Sequence, residues 1–255
     1  ILAATSGRRA ASPIAGSASA GTFEASTWID PMQRGSLLHE AFEQFVERWK
    51  GRAAELGGPK ARDAALAVLA GIVAEWRADV PPPSEFVFNR EVRVLERLML
   101  AFFLAERTDF AEGRTVAWRE VERAFGRRGA APVLYDLGGD VSIRITGFID
   151  RIDEVAGGAL RVVDYKTGSS FKFKRDPKQP ACNGGRHLQP ALYAAAAAQT
   201  LRLPVASFEY RFPKERAPGH RQAWTAGEFT SAGPVIRSLL THAEHGHFVP
   251  TDDAG

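Results

Sequence analysis

The sequence predicts an α/β domain: a mixed central sheet flanked by helices, with a helical N-terminal part. Three observations predict it. Residues 31–108 carry apolar side chains at helical spacing. Residues 115–167 then turn to short β-rich runs joined by a glycine turn. Helix and strand patterns alternate from 187 onward, without an internal repeat.

Each element has its own reason. Residues 1–21 are rich in Ala, Ser and Gly and hold no acid, so 1–28 reads as a flexible linker and 29–255 as the domain. The segment has neither the charged start nor the apolar core of a signal peptide; a transit peptide is compatible with its composition. The first residue is Ile1, which reads as a fragment or a processed product. Asp30 and Pro31 form a helix start, and Leu38, Phe42, Phe45, Val46 and Trp49 follow at helical spacing, predicting a helix over 31–50. A second helix covers about 60–79 and ends at Pro81-Pro82-Pro83-Ser84; a third covers about 88–108. Strands are expected at 115–125, 141–155 and 159–167, with Gly157-Gly158 turning between the last two. Residues 168–186 read as a loop, His187–Leu201 as helix, Val205–Phe212 as strand and Gly233–His245 as helix.

Composition narrows the function classes. The 255 residues are 45% hydrophobic and 25% charged, enough to bury a core and too apolar for a disordered chain. The longest apolar runs, Leu98–Ala105 and Ala191–Ala198, fall far short of the roughly 20 residues of a membrane span, so no membrane partner is expected. Net charge is only +3, so any nucleic-acid partner has to be met by a local basic cluster. The single Cys182 excludes an internal disulfide and a four-cysteine metal site within this chain.

The chemistry starts at Asp164-Tyr165-Lys166. Strand alternation puts Asp164 and Lys166 on one face, inside an otherwise apolar run. The plain alternative is a solvent-facing strand with an incidental ion pair. If the hairpin loop is Ala156-Gly157-Gly158, Val155 faces Ala159 and Asp150 falls opposite Asp164. A two-residue loop would put the two acids on opposite faces. Carboxylates that close repel unless a cation stands between them. Two carboxylates plus a backbone carbonyl suit Mg²⁺ best, with Mn²⁺ acceptable. A lysine beside them would orient an attacking water and offset charge on a phosphorane-like transition state. Asp153, near the turn, is expected to be solvated.

Further candidates lie on helices. Gly35 and His39 share a face of the first helix, where Gly allows close approach and His39 is either a metal or phosphate contact or a satisfied interfacial histidine. Pro190 is placed at the first position of the later helix, leaving Gln189 near its cap and Tyr193 one turn on, facing the same cleft; the alternative is a plain helix start. Lys172, Lys174, Arg175, Lys178 and Arg186, with Phe171 and Phe173 interleaved, form a basic loop suited to tracking a phosphate backbone while Phe stacks on bases, or else a solvated loop. His242, His245 and His247 invite a zinc reading but have no obvious acidic or thiol partner.

Taken in order, GSLLHEAF, VERAFG, GFIDRIDEV, RVVDYKTG, GGRHLQPALY and GHFVP resemble the RecB-family nuclease domain of the PD-(D/E)XK superfamily, over about residues 35–250. The nearest flavour is the C-terminal nuclease domain of AddB-type helicase–nuclease subunits. The resemblance implies a restriction-endonuclease-like sheet and a metal-dependent deoxyribonuclease. Metal would be bound by His39, Asp150, Asp164 and the Tyr165 carbonyl. Lys166 would be the catalytic lysine, with Gln189 and Tyr193 completing the catalytic set. Glu122 matches an acidic family position without a catalytic assignment. The implied setting is double-strand-break repair in the bacterial cytoplasm, at the nucleoid, on single-stranded DNA or duplex ends delivered by a helicase motor on the same or a partner chain. A non-catalytic DNA-binding or scaffolding module and an RNA-directed nuclease are the alternatives. Many such relatives hold an iron–sulfur cluster on four cysteines. Here neither flank carries them and Cys182 does not match, so no cluster is expected within this chain.

Overall fold

The computed structural model describes residues 26–176, 178, 182, 184–229 and 232–247. Most of the expected linker, 1–25, lies outside the described residues, as do residues 248–250 of the GHFVP stretch. The last residue of the expected linker is described: Trp28 is buried and donates from Nε1 to the Val80 carbonyl at 2.7 Å, so the packed unit begins no later than Trp28.

Three helices come first. α1 (Pro31–Trp49) starts where Asp30 accepts from the Gln33 amide at 2.8 Å and the Gln33 side chain accepts from the Asp30 amide at 3.0 Å. α2 (Pro59–Asp79) follows, then α3 (Glu85–Ala111), capped by Ser84 and longer at both ends than the apolar spacing predicts. Leu37, Leu38, Ala41, Phe42, Phe45, Val46 and Trp49 form the buried stripe of α1 and pack with Leu95, Met99, Phe102 and Phe103 of α3.

The sheet holds β1 (Ala117–Phe125), β4 (Gly147–Glu154), β5 (Leu160–Tyr165), β6 (Val205–Lys214) and β7 (Ala217–Thr225), in that spatial order. Only β5 and β6 are parallel, joined by α4 (Gln189–Leu201). A mixed sheet between the helical layer and α4 is the expected fold. β2 (Val133–Gly138) and β3 (Val141–Ile145) make a separate two-stranded ribbon, packed with α4 and α6 (Ala232–Glu244); the short α5 (Ala226–Phe229) precedes α6. The strand expected over 141–155 is therefore two strands, broken at Thr146, because each half pairs with a different partner. β2 and β7 go beyond the expected strands: the interrupted apolar pattern of VLYDLG and the Pro-Gly start of β7 hide them. Among the described residues no helix is long and apolar enough to cross a membrane.

The hairpin register carries the site. Arg151 pairs with Val163, Asp153 with Arg161 and Glu154 with Leu160; the Val155 amide bonds the Ala159 carbonyl at 2.9 Å. The loop is Ala156–Gly158, with Gly157 at φ 83° and Gly158 at φ 74°, a backbone that glycine adopts without strain. Continuing the register sets Asp150 opposite Asp164, on the α4 side of the sheet.

The other side of the same strands corrects one expectation. Asp153 is not solvated but fully buried, bonded by Arg151 Nη2 at 3.0 Å and Arg161 Nη2 at 2.7 Å. It belongs to an ion network between α3 and the sheet, in which Arg151, Arg161, Arg211 and Arg221 meet Glu106, Asp109, Asp153 and Glu209. Pairing is what permits so many charges to be buried. Arg151 also donates to the Tyr165 hydroxyl, tying the network to the strand that carries the site.

Candidate active site

Asp150 and Asp164 sit on neighbouring strands. Asp150 Oδ2 accepts from the Tyr165 amide at 2.8 Å, so the backbone of β5 holds the carboxylate of β4. Asp164 is 4% exposed at its side chain; its Oδ1 accepts from Gln189 Nε2 at 2.6 Å and its Oδ2 lies 2.5 Å from Lys166 Nζ. Burial, then the nearby Asp150 charge, push the Asp164 carboxyl up to about 6 despite Lys166. An acid held this way favours a cation beside it.

His39 reaches the same point from α1. Its Nε2 lies 2.9 Å from the Tyr165 carbonyl, and its Nδ1 is 3.5 Å from Asp150 Oδ2. Gly35, one turn earlier, lets α1 approach: a Cβ there would stand 3.2 Å from Thr167 Oγ1. The close neighbour is thus a side chain just beyond Lys166.

Gln189 is the first helical residue of α4, with Leu188 at the cap, one position earlier than the proline predicts. Tyr193 lies one turn on, and burial pushes its hydroxyl up to about 12. Its ring packs edge-on against Phe125. The structure therefore brings together His39, Asp150, Asp164, Tyr165, Lys166, Gln189 and Tyr193.

Two acids enlarge the group. In the β1–β4 register, Glu122 lies across from Asp150, as Asp164 does from the other side. Glu122 has φ 46°, and burial, then Asp150 and Glu43, push its carboxyl up to about 7. A cleft lined by His39, Glu43, Glu122, Asp150 and Tyr165 opens here. Glu43 follows His39 by four residues on α1, a spacing that could have flagged it. Nothing local in the sequence announces the backbone of Glu122.

Among the described residues, no group of three or more His, Cys, Asp and Glu side chains stands arranged to hold a metal ion. His39 is occupied by the Tyr165 carbonyl, one of the expected donors. The donor chemistry nonetheless fits a hard divalent cation. Two carboxylates face each other across paired strands, and Asp164 Oδ2 is a buried oxygen without a well-angled hydrogen bond. His242, His245 and His247 close no zinc site; all three are exposed, and His245 Nδ1 bonds the Thr241 carbonyl at 2.7 Å.

The basic loop divides in two. Lys172, Lys174, Lys178 and Arg186 are exposed, and Phe171 is 80% exposed. Arg175 is spent internally: it bonds Glu228 and the Ala223 carbonyl, and lies over the Trp224 ring. Phe173 does not face outward to stack on bases. It packs on Tyr210, with ring centroids 4.6 Å apart, and on His187 at 5.7 Å. His187 Nε2 lies 3.0 Å from the Lys172 carbonyl, fastening the loop to the start of α4. Cys182 is free and buried beside the β2–β3 ribbon.

No curated protein is significantly similar to the chain in sequence. The family model of the PD-(D/E)XK nuclease superfamily, by contrast, matches residues 18–254, so the chain belongs to the PD-(D/E)XK nuclease superfamily.

Proposed function

We propose that this protein is a metal-dependent deoxyribonuclease of the RecB/AddB type, the exonuclease module of a helicase–nuclease in double-strand-break repair. The observation that supports it most is the juxtaposition of Asp150, Asp164 and Lys166, with Lys166 Nζ 2.5 Å from Asp164. His39, Asp150, Asp164 and the Tyr165 carbonyl would hold Mg²⁺, or Mn²⁺ in its place. The cation would supply Lewis-acid polarisation of the scissile phosphate.

Lys166 has the reach and charge to orient an attacking water and to offset negative charge that grows on the phosphate. Gln189 keeps Asp164 turned by binding its Oδ1, leaving Oδ2 toward Lys166. The Tyr165 amide does the same for Asp150. Lys172, Lys174, Lys178 and Arg186 would follow the backbone of single-stranded DNA or a duplex end, with Phe171 available to stack on a base. The helicase motor and the repair setting rest on the sequence resemblance alone.

The test is incubation with end-labelled linear single- and double-stranded DNA in Mg²⁺, in Mn²⁺ and in EDTA, beside Lys166→Ala. Metal-dependent degradation lost in Lys166→Ala is the expected result. DNA held equally well in EDTA and metal, with no product from either form of DNA, would favour the non-catalytic module. Degradation of RNA in preference to DNA would favour the RNA-directed nuclease.

A further inference from the structure

A chain of side-chain hydrogen bonds leads from Asp164 into the sheet. Gln189 Nε2 donates to Asp164 Oδ1 at 2.6 Å, and the Tyr210 hydroxyl donates to Gln189 Oε1 at 3.0 Å. Tyr210 lies on β6, paired with Asp164 in the parallel register, and is 2% exposed. Its ring stands among other rings: Phe173 at 4.6 Å, Phe208 at 4.8 Å and Trp224 at 5.3 Å between centroids. Lys166 Nζ is 5.2 Å from the Tyr210 centroid and 5.7 Å from that of Phe173. One buried residue thus meets Asp164 through Gln189 and Lys166 through its ring.

The hydroxyl has a defined role in this arrangement. The terminal torsion of a glutamine is broad, and its oxygen and nitrogen ends have nearly the same shape. Which end meets Asp164 is decided by what the other end meets. A phenol buried among rings needs an acceptor, and Gln189 Oε1 is that acceptor. The amide nitrogen is therefore aimed at Asp164. The ring acts separately on Lys166. Lysine carries a flexible four-carbon stem, and an aromatic surface within about 6 Å attracts its ammonium. Tyr210 and Phe173 border the place where Lys166 reaches Asp164 Oδ2.

We infer that Tyr210 is a positioning residue of this site: its hydroxyl sets the Gln189 amide and through it Asp164, while its ring, with Phe173, seats Lys166. The inference rests on Asp164 and Lys166 being the hydrolytic pair proposed above.

The test compares wild type, Tyr210→Phe, Gln189→Ala, the double variant, Tyr210→Leu and Lys166→Ala. Two readouts are taken: the cleavage of end-labelled single-stranded DNA at saturating metal, and Mn²⁺ binding by calorimetry without DNA. Tyr210→Phe is expected to lower kcat about tenfold and to weaken Mn²⁺ binding several-fold, with KM for DNA unchanged. Gln189→Ala is expected to lose at least as much. Adding Tyr210→Phe to Gln189→Ala is expected to cost nothing further, because the hydroxyl acts through that amide. Tyr210→Leu, where it folds, is expected to lose more than Tyr210→Phe, since the ring beside Lys166 is gone. A merely structural role would instead give the same loss from Tyr210→Phe in both backgrounds. That result, or a Tyr210→Phe variant that cleaves and binds Mn²⁺ like wild type, overturns the inference. If wild type cleaves, Lys166→Ala does not and Tyr210→Phe is normal, this inference alone fails. If wild type shows no metal-dependent cleavage, the nuclease reading falls and takes this one with it.

Discussion

Asp109→Asn should be among the most damaging single changes outside the site. Asp109, at the end of α3, is 1% exposed at its side chain and accepts from three arginines: Arg211 Nη2 at 2.6 Å, Arg221 Nη2 at 2.9 Å and Arg114 Nε at 2.9 Å. The surrounding network sets Arg114, Arg151, Arg161, Arg211 and Arg221 against Glu106, Asp109, Asp153 and Glu209. Removing the Asp109 charge leaves Arg151, Arg161, Arg211 and Arg221 facing three buried carboxylates, and leaves Arg114 only the exposed Glu112. Breaking a buried pair in this way costs about 3–5 kcal/mol, against a total stability of about 5–15 kcal/mol for a domain. Burial alone would raise the Asp109 carboxyl, but Arg211, Arg221 and Arg114 hold it well below its usual range. Because the folded value is depressed, its contribution is fully present above the unfolded pKa of about 3.9, begins to fall near it, and is lost as pH drops on through the folded value. Urea unfolding followed by tryptophan fluorescence should therefore show a large gap between wild type and Asp109→Asn at pH 7, narrowing at pH 3.5. Glu112→Gln is the control. Glu112 pairs with the same Arg114 but is 53% exposed at its side chain, so its loss should cost under about 1 kcal/mol. An Asp109→Asn variant within about 1 kcal/mol of wild type at pH 7, or a gap that ignores pH, would refute the reasoning.

In the absence of metal, Asp164→Asn should raise the thermal midpoint at pH 7, since a folded carboxyl pushed up to about 6 destabilises the fold wherever pH forces it to ionise. The gain should shrink toward pH 4, where Asp164 is protonated in the fold, and Mg²⁺ should raise the wild-type midpoint more than the variant's, as read by thermal shift. Replacing Lys172 and Lys178 with Ala should flatten the log–log salt dependence of DNA binding by about one unit for each phosphate no longer neutralised, whereas Arg175→Ala should lower the thermal midpoint and leave that slope alone. Gly126→Ala should destabilise by about 1–3 kcal/mol in chemical denaturation, because its φ is 63° and a Cβ would clash with the Thr146 side chain; Gly129→Ala, at φ 80° with open space, should lose only the smaller conformational part.

What the sequence made legible was local. Asp30 and Gln33 announce the start of α1, and a three-residue glycine loop is enough to align Asp150 with Asp164. Strand alternation already places Asp164 and Lys166 together. What escaped depends on partners distant in the chain. Asp153 looks like a turn-side acid until Arg161 and the α3 acids close around it. Phe173 looks like an exposed loop aromatic, yet Tyr210, Phe212 and His187 draw it inward. Tyr210 sits in a run indistinguishable from any core strand, and only the fold shows that its hydroxyl ends at Gln189. The left-handed backbone of Glu122 leaves no mark on its neighbours' identities.

The most direct measurement separates holding a cation from using it. Mn²⁺ binding and cleavage of end-labelled DNA should be measured side by side on wild type, Lys166→Ala and Asp164→Asn. If the site works as proposed, wild type binds and cleaves, Lys166→Ala binds without cleaving, and Asp164→Asn does neither. Cleavage that persists in Lys166→Ala or in Asp164→Asn would contradict the account at its centre.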